Sequence, residues 1–137
     1  MFNRIALFAL PAMALAGLSG CNSAGAAPAS IAGSKWAFMT INGQRPVSSR
    51  AGVQLDAHRI AANAGCNGLG GDLTITRDHL ITGPIISTQM YCDGVMDQEQ
   101  AVAQLLGASP RYTVEGDKLT LTAPRFWAEL KIGRAHV

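Results

Sequence analysis

The chain has 137 residues, with eleven basic and nine acidic side chains and a net charge of +2. The surplus of positive charge comes from Arg4 and Arg134, near the two ends, and the other basic residues are scattered. This distribution excludes the clustered basic surface of a typical nucleic-acid-binding protein, so we predict no nucleic-acid partner. Without its ends the chain keeps about 100 residues, enough for one domain with a single modest core.

The N-terminus has the features of a secretory signal. Arg4 precedes an apolar run from Ile5 to Gly17, which is too short for a stable membrane span. The run is followed by Leu18-Ser19-Gly20-Cys21, which resembles the bacterial lipobox, where the cysteine is lipidated and the signal is cut ahead of it. We therefore predict a lipoprotein signal peptide over residues 1–20 and a lipid anchor on Cys21. The alternative is an ordinary cleaved signal with an incidental cysteine.

The two ends of the chain flank the predicted domain. After the cysteine, residues 22–30 are Ala, Ser, Gly, Asn and Pro with no large apolar side chain. Such a composition is typical of a flexible tether, which we predict over residues 21–30. Asn22 stands where an aspartate would resemble an inner-membrane retention signal. This favours the outer membrane, facing the periplasm, with the inner membrane as the alternative. Residues 133–137 resemble the translation of a sequencing-library adapter, so we predict a non-native tail there.

Alternating apolar and polar residues predict many short strands. Lys35 to Ile41 would place Trp36, Phe38 and Thr40 on one face, followed by an Asn42-Gly43 turn. Trp36 is expected in the core, with stacking on a ligand as the alternative. Further strands are predicted at residues 53–56, 59–62, 73–76, 80–87 with an interruption at Gly83-Pro84, 111–114, 118–121 and 126–130.

One helix is predicted between the strands. It would be capped by Asp93 or Asp97 and run to about Leu106, with Gly107 as its stop. Its acidic and amide side chains are expected to be mainly solvated, Glu99 included, and its apolar stripe comprises Val95, Val102, Leu105 and Leu106. Glu99, a lone carboxylate in the first turn, would favour the helix dipole and has no second acid beside it for catalysis.

The most distinctive stretch of the sequence is Gly65-Cys66-Asn67-Gly68-Leu69-Gly70-Gly71. Its four glycines predict a sharp turn with positive φ angles. Together with Trp36, the Thr-x-Met-x-Cys element at Thr88–Cys92, the acidic helix and the closing hairpin, it resembles the META domain family, the HslJ-like bacterial envelope lipoproteins. The resemblance covers residues 31–132. The matching motif positions are Trp36, Gly65, Cys66, Asn67, Gly71, Thr88, Met90, Cys92 and Glu99.

The resemblance implies a fold and a class of function. The fold is a small antiparallel β-barrel of lipocalin-like topology with one packed α-helix, a mainly-β class that the many short strands also favour. The family's relatives are associated with heat shock and resistance to some antibiotics. We therefore expect a monomeric, non-enzymatic envelope lipoprotein that binds or scaffolds an envelope protein or glycan in envelope stress or antibiotic tolerance. The alternative is a cell-wall-acting enzyme or an inhibitor of an envelope enzyme.

The sequence offers no catalytic group that stands out, because paired acids, a nucleophile with a base, and a metal triad are all missing from its motifs. We predict no catalytic residue, metal or cofactor. Once Cys21 is assigned to lipid, Cys66 and Cys92 remain as a pair in an oxidising compartment, where a disulfide is expected. The alternatives are a metal site that adds His58 or His79, and a catalytic cysteine.

Asn67 has two interpretations of its own. Its side chain can bond backbone groups left unpaired by the bend. Alternatively, its amide could bind a peptide or glycan, since loops often carry function. Leu69 stands where the family usually has an aromatic residue, which keeps an apolar plug and removes a ring that could stack on a ligand.

Overall fold

The computed structural model of the chain describes residues 30–133. The predicted signal peptide, Cys21 and the tether up to residue 29 lie outside this range, as do residues 134–137 of the predicted tail. Nine strands and one helix follow one another within it. They are β1 (Ser34–Ile41), β2 (Gly52–Leu55), β3 (Arg59–Asn63), β4 (Gly68–Ile75), β5 (Leu80–Thr82), β6 (Ile86–Ser87), α1 (Met96–Gly107), β7 (Arg111–Glu115), β8 (Lys118–Thr122) and β9 (Trp127–Ile132).

The strands form one antiparallel sheet in the order β5-β4-β3-β2-β1-β9-β8-β7, with β6 also beside β4. The two outer strands approach each other, because His79 and Arg111 form an isolated bridge. Beside it, the Leu80 N–H donates to the Pro110 carbonyl at 2.9 Å. The sheet is therefore a nearly closed barrel, and the predicted fold class, mainly β with a small antiparallel barrel and one packed helix, is confirmed.

The barrel has two distinct ends. At the first, which we call the entry end, Ser34 at the start of β1 pairs with Leu55, and β9 finishes with Ile132 opposite Trp36. At the second, which we call the motif end, Gly68 at the start of β4 pairs with Asn63. Helix α1 begins beside this start of β4 and lies against the motif end.

The barrel interior is filled by aliphatic side chains. Residues at 0–1% exposure include Leu55, Ile60, Leu80, Leu119, Leu121 and Leu130 from the strands and Val102, Leu105 and Leu106 from the helix. Burying each such side chain stabilises the fold by about 1.5–3 kcal/mol, which makes this core the main source of stability. Trp36 is buried too, and its indole N–H donates to Ser34 Oγ at 2.7 Å. Its predicted core role is confirmed.

Strand β1 departs from simple alternation near its end. The register against β9 shifts between Phe38 and Thr40, so Ile41, and not Thr40, is the next fully buried side chain. The expectation for Thr40 was wrong because a β-bulge adds one residue to the strand. The Asn42-Gly43 turn is confirmed: both residues have positive φ, 49° and 81°, and Ile41 pairs with Gln44 across it.

The glycine-rich run is only partly a turn. Gly65 alone has a positive φ, 113°, whereas residues 68–71 belong to β4. The predicted bend over the whole run was therefore wrong. A Cβ at Gly71 would lie 2.8 Å from the Pro84 carbonyl oxygen, so this glycine is needed for close approach of the segment between β5 and β6. Leu69 is buried, as its role of apolar plug requires.

Helix α1 has nearly the predicted extent, but not the predicted caps. Its N-cap is Val95, which makes no side-chain cap hydrogen bond, and Ala108 follows Gly107 as the C-cap. Asp93 and Asp97 were wrong choices because the helix starts between them. The predicted hairpins are confirmed, with His58 exposed at the β2–β3 tip and a two-residue turn joining β7 and β8.

Candidate functional site

Seven of the nine motif residues gather at the motif end, where the start of β4, the segment before α1 and the first turn of α1 meet. They are Gly65, Cys66, Asn67, Thr88, Met90, Cys92 and Glu99. The other two lie elsewhere. Trp36 belongs to the core on β1, and Gly71 lies farther along β4 beneath Pro84.

Cys66 and Cys92 form a disulfide with their Cα atoms 5.8 Å apart, as predicted. The bond ties the connection between β3 and β4 to the segment that leads into α1. Both thiols are consumed, so the pair supplies neither a catalytic thiol nor a thiolate ligand. Within residues 30–133, no three His, Cys, Asp or Glu side chains are placed to hold a metal ion together.

Asn67 is 2% exposed and uses its whole side-chain amide. Its Oδ1 accepts from the Thr88 hydroxyl at 2.8 Å and from the Met90 N–H at 2.7 Å. Its Nδ2 donates to the Met90 carbonyl at 2.8 Å and to Glu99 Oε2 at 2.7 Å. Two donors and two acceptors saturate a side-chain amide. Asn67 therefore holds the backbone of the neighbouring segment, and the ligand-binding interpretation is not retained.

Glu99 is the buried partner of Asn67, with 5% exposure. Its Oε1 accepts the Asn67 backbone N–H at 2.6 Å, so both carboxylate oxygens face the same residue. Short bonds to a carboxylate are stronger than those between neutral groups. The expectation that Glu99 is solvated was wrong. Its spacing from Val102 and Leu106, three and seven residues away, places it on the buried face of the helix and was the missed signal.

Gln98 makes a second brace that the sequence did not reveal. Its Oε1 accepts the Val47 N–H at 2.8 Å, and its Nε2 donates to the Ala64 carbonyl at 2.6 Å. The first turn of α1 therefore holds both the connection between β1 and β2 and the connection between β3 and β4. Gln98 was expected to be solvated, and it is half-buried instead.

The same network leaves apolar side chains in solvent. Met90 is 58% exposed and Tyr91 is 78% exposed, although the backbone of Met90 is bonded to Asn67 on both its N–H and its carbonyl. Ile86, on the neighbouring strand β6, is 73% exposed. We call Ile86, Met90 and Tyr91 the apolar segment. Its geometry suits contact with another molecule, because the backbone is fixed while the side chains are free.

The perturbed titrating groups lie away from this cluster. The hydrogen bond from His79 lowers the pKa of Asp78, and burial raises the pKa of Tyr112. Both residues are at the junction where β5 and β7 approach each other. The motif cluster contains instead one buried carboxylate, that of Glu99 in the first turn of α1, which accepts two N–H groups of Asn67.

Within residues 30–133, no helix is long and apolar enough to cross a membrane.

Comparison with known proteins places this arrangement in a family. The META domain model matches residues 29–129. One similar solved structure is the NMR structure of a protein with 14% identity and a TM-score of 0.63, covering 73% of this chain and 89% of that one. Another is the NMR structure of a protein from Burkholderia xenovorans, with 16% identity and a TM-score of 0.62, covering 75% of this chain and 83% of that one.

At these low identities, the two similarities show a shared fold and nothing about function. No curated protein matches it. The family model spans most of the chain and includes all nine motif residues. The chain therefore belongs to the META domain family.

Proposed function

We propose that this chain is a non-enzymatic envelope lipoprotein, anchored through Cys21 in the outer membrane and facing the periplasm. Its META domain would act as a monomer that binds or scaffolds an envelope protein during envelope stress or antibiotic exposure. One observation carries the proposal: Met90 and Tyr91 are exposed on a backbone that Asn67 and the disulfide hold in place.

A fixed apolar segment is favourable for binding. Methionine and aromatic residues are enriched at protein interfaces, and the strongest contributions come from such anchors. Loops that are already ordered lose less conformational entropy when a partner docks. The disulfide and the four bonds of Asn67 provide this order before any partner arrives.

The position of the segment agrees with an anchored protein. The described chain enters the barrel at Ser34, at the entry end, whereas Met90 and Tyr91 are at the motif end. A tether of residues 21–30 reaches at most about 35 Å when fully extended. A domain held by its entry end would turn the motif end away from the membrane and towards periplasmic partners.

The polar residues of the motif support a role without catalysis. Asn67 and Glu99 are buried and bonded mainly to each other and to the backbone. A general acid or base needs access to a substrate proton at hydrogen-bonding distance. The polar groups of this cluster are instead committed to holding the fold together.

The proposal is tested by cross-linking the lipidated chain in its native envelope and recovering it. The parent should bring down one specific protein, and the variant Met90→Asp/Tyr91→Asp should lose it. His58→Asp, an exposed change at the entry end, is the control and should retain the protein. The same preparation tests the lipid anchor, because radioactive palmitate should label the parent and not Cys21→Ala. Equal recovery by all variants, or no specific protein, would contradict the binding role.

A further inference from the structure

A polar cleft at the motif end is separate from the apolar segment. It lies between the turn after β1 and the first half of α1, and its volume is about 360 Å³. Its lining includes Asn42, Gln44, Arg45 and Val47 from the connection after β1, and Asp97 and Ala101 from the helix. Small-ligand sites typically occupy about 300–1,000 Å³ and contain a few convergent polar groups, so this cleft has a suitable size and composition.

The polar lining is available for a ligand. Arg45 and Asp97 are both exposed, and neither belongs to the four ion pairs found within residues 30–133. Gln44 is exposed on the same wall, with its backbone paired to Ile41. The cleft therefore presents a cationic donor, an anionic acceptor and an amide that can both donate and accept.

An exposed tryptophan stands next to the cleft. Trp127 is 41% exposed, and its ring packs on Gly43, where an added Cβ would be 3.3 Å from it. Its backbone is bonded to Asn42 twice: the Trp127 N–H donates to Asn42 Oδ1 at 2.9 Å, and the Asn42 N–H donates to the Trp127 carbonyl at 2.8 Å. Trp127 does not line the cleft itself, but its ring lies against the Asn42-Gly43 turn, and Asn42 belongs to the wall of the cleft.

The balance of charges selects the class of ligand. The carboxylate of Asp97 would repel a polyanion, and the guanidinium of Arg45 would repel a cation. Hydroxyl groups, which donate and accept, satisfy an arginine, a carboxylate and an amide together. The apolar side chains of Val47 and Ala101 offer contact to a methyl group, and an aromatic ring offers a flat apolar surface. These features together describe a neutral, hydroxyl-rich ligand that carries acetamido groups.

We propose that this cleft binds an N-acetylated saccharide, with Gln44, Arg45 and Asp97 bonding its polar groups and Trp127 stacking on a sugar ring. This goes beyond the proposed protein-binding role, because it uses other residues and another class of ligand. The two sites share the motif end, so the protein would hold a glycan and a protein partner close to each other.

The test uses the full chain isolated in detergent and titrated with the tetramer of N-acetylglucosamine. The chain has two tryptophans. Trp36 is only 4% exposed, so a change in fluorescence reports Trp127. We expect a saturable change at millimolar or lower concentration. A tetramer of glucose, which lacks acetamido groups, is the matched ligand control and should bind much more weakly.

Variants then locate the binding. Gln44→Ala and Asp97→Ala should each weaken it about three- to tenfold, the loss expected for one hydrogen bond. His58→Ala should bind like the parent. Trp127→Ala, followed by calorimetry, should lose most binding while its thermal unfolding stays close to that of the parent.

No saturable response, equal binding of the glucose tetramer, or unchanged affinity in the Gln44 and Asp97 variants would overturn the saccharide site. The cleft variants should still recover the protein partner in the cross-linking experiment. Failure of the saccharide site is therefore distinguishable from failure of the protein-binding role.

Discussion

At the scale of single residues, Asn67 determines how the motif cluster is built. Burying a polar group lowers stability unless the group is hydrogen-bonded. Asn67 and Glu99 meet this requirement in part through the two hydrogen bonds between them. The remaining capacity of the amide goes to Thr88 and to the backbone of Met90. One asparagine therefore links β4, the segment before the helix and the helix itself.

Replacing Asn67 by Ala should lower the free energy of unfolding by about 2–4 kcal/mol. The change deletes four side-chain hydrogen bonds. It leaves one oxygen of the buried Glu99 carboxylate and the partly buried backbone of Met90 without these partners, which costs more than losing both members of a bond. Urea unfolding followed by circular dichroism measures it.

The control for this prediction is Gln104→Ala, which removes an exposed amide from the same helix. It should stay within about 0.5 kcal/mol of the parent, as changes at the surface usually do. A similarly small effect at Asn67 would show that its bonds do not hold the cluster together.

The residues also show where the sequence was informative. Asn67 stands in an unusual local pattern, and its structural role was predicted from that pattern. The Cys66–Cys92 disulfide was predicted from the number of cysteines and an oxidising compartment. Glu99 and Gln98 lie among other polar side chains of the helix, so an ordinary solvated face was the natural interpretation. Their partners are 32 and 34 residues away along the chain, and a local pattern does not contain such contacts.

At the scale of elements, α1 and the disulfide fix the same part of the barrel. Gln98 and Glu99 hold the β1–β2 connection and the β3–β4 connection. The Cys66–Cys92 bond closes a segment of 26 residues containing β4, β5 and β6. Strand β6 is only two residues long, too short to be stable by its own pairing. The covalent bond compensates for this weak part of the sheet.

The double change Cys66→Ala/Cys92→Ala should lower the free energy of unfolding by about 2–4 kcal/mol, close to the ~3.5 kcal/mol that chain entropy gives for a loop of this size. The fold should remain, because the Asn67 network still holds the segment. Urea unfolding measures the loss.

Reduction provides the matched control for the disulfide. Dithiothreitol should weaken the parent by a similar amount and leave the double variant unchanged, since the variant has no bond to break. If the parent unfolds at the same urea concentration before and after complete reduction, the disulfide does not stabilise the barrel.

Boundaries between elements were harder to predict than the elements themselves. The hairpins follow from alternation and from turn residues such as Asn42-Gly43, whose positive φ angles are local properties. The bulge in β1 and the strand conformation of residues 68–71 depend on which neighbours they pair with. Tertiary pairing decided these positions, and glycine content alone pointed to the wrong conformation.

At the scale of the whole molecule, the barrel depends on the junction between the β4–β5 hairpin and the β7–β8 hairpin, at the two edges of the sheet. There the Tyr112 N–H donates to the Asp78 carbonyl at 2.9 Å, and the Tyr112 hydroxyl donates to the Thr76 carbonyl at 2.6 Å. Few residues pair across this junction, in contrast to the continuous ladders elsewhere. The loss of one hydrogen bond should therefore lower stability more here than elsewhere in the sheet.

The junction should weaken in alkali because of Tyr112. Burial, and then the negative charge of Asp78, raise the pKa of Tyr112 above its usual value of about 10. The folded state thus favours the neutral phenol. This stabilisation is fully present below the unfolded pKa and is lost as the pH rises through the folded pKa. Stability of the parent should therefore fall as the pH rises above about 10.

The variant Tyr112→Phe isolates this effect. At pH 8 it should be about 1 kcal/mol less stable than the parent, the usual contribution of one hydrogen bond. As the pH rises the difference should shrink, because only the parent has to keep this phenol neutral in the folded state. Tyr91→Phe, at a tyrosine that is 78% exposed, is the control and should match the parent throughout. The measurement is the midpoint of urea unfolding at closely spaced pH values. If the difference between Tyr112→Phe and the parent stays constant up to pH 11, ionisation of Tyr112 is not the cause of the alkaline loss of stability.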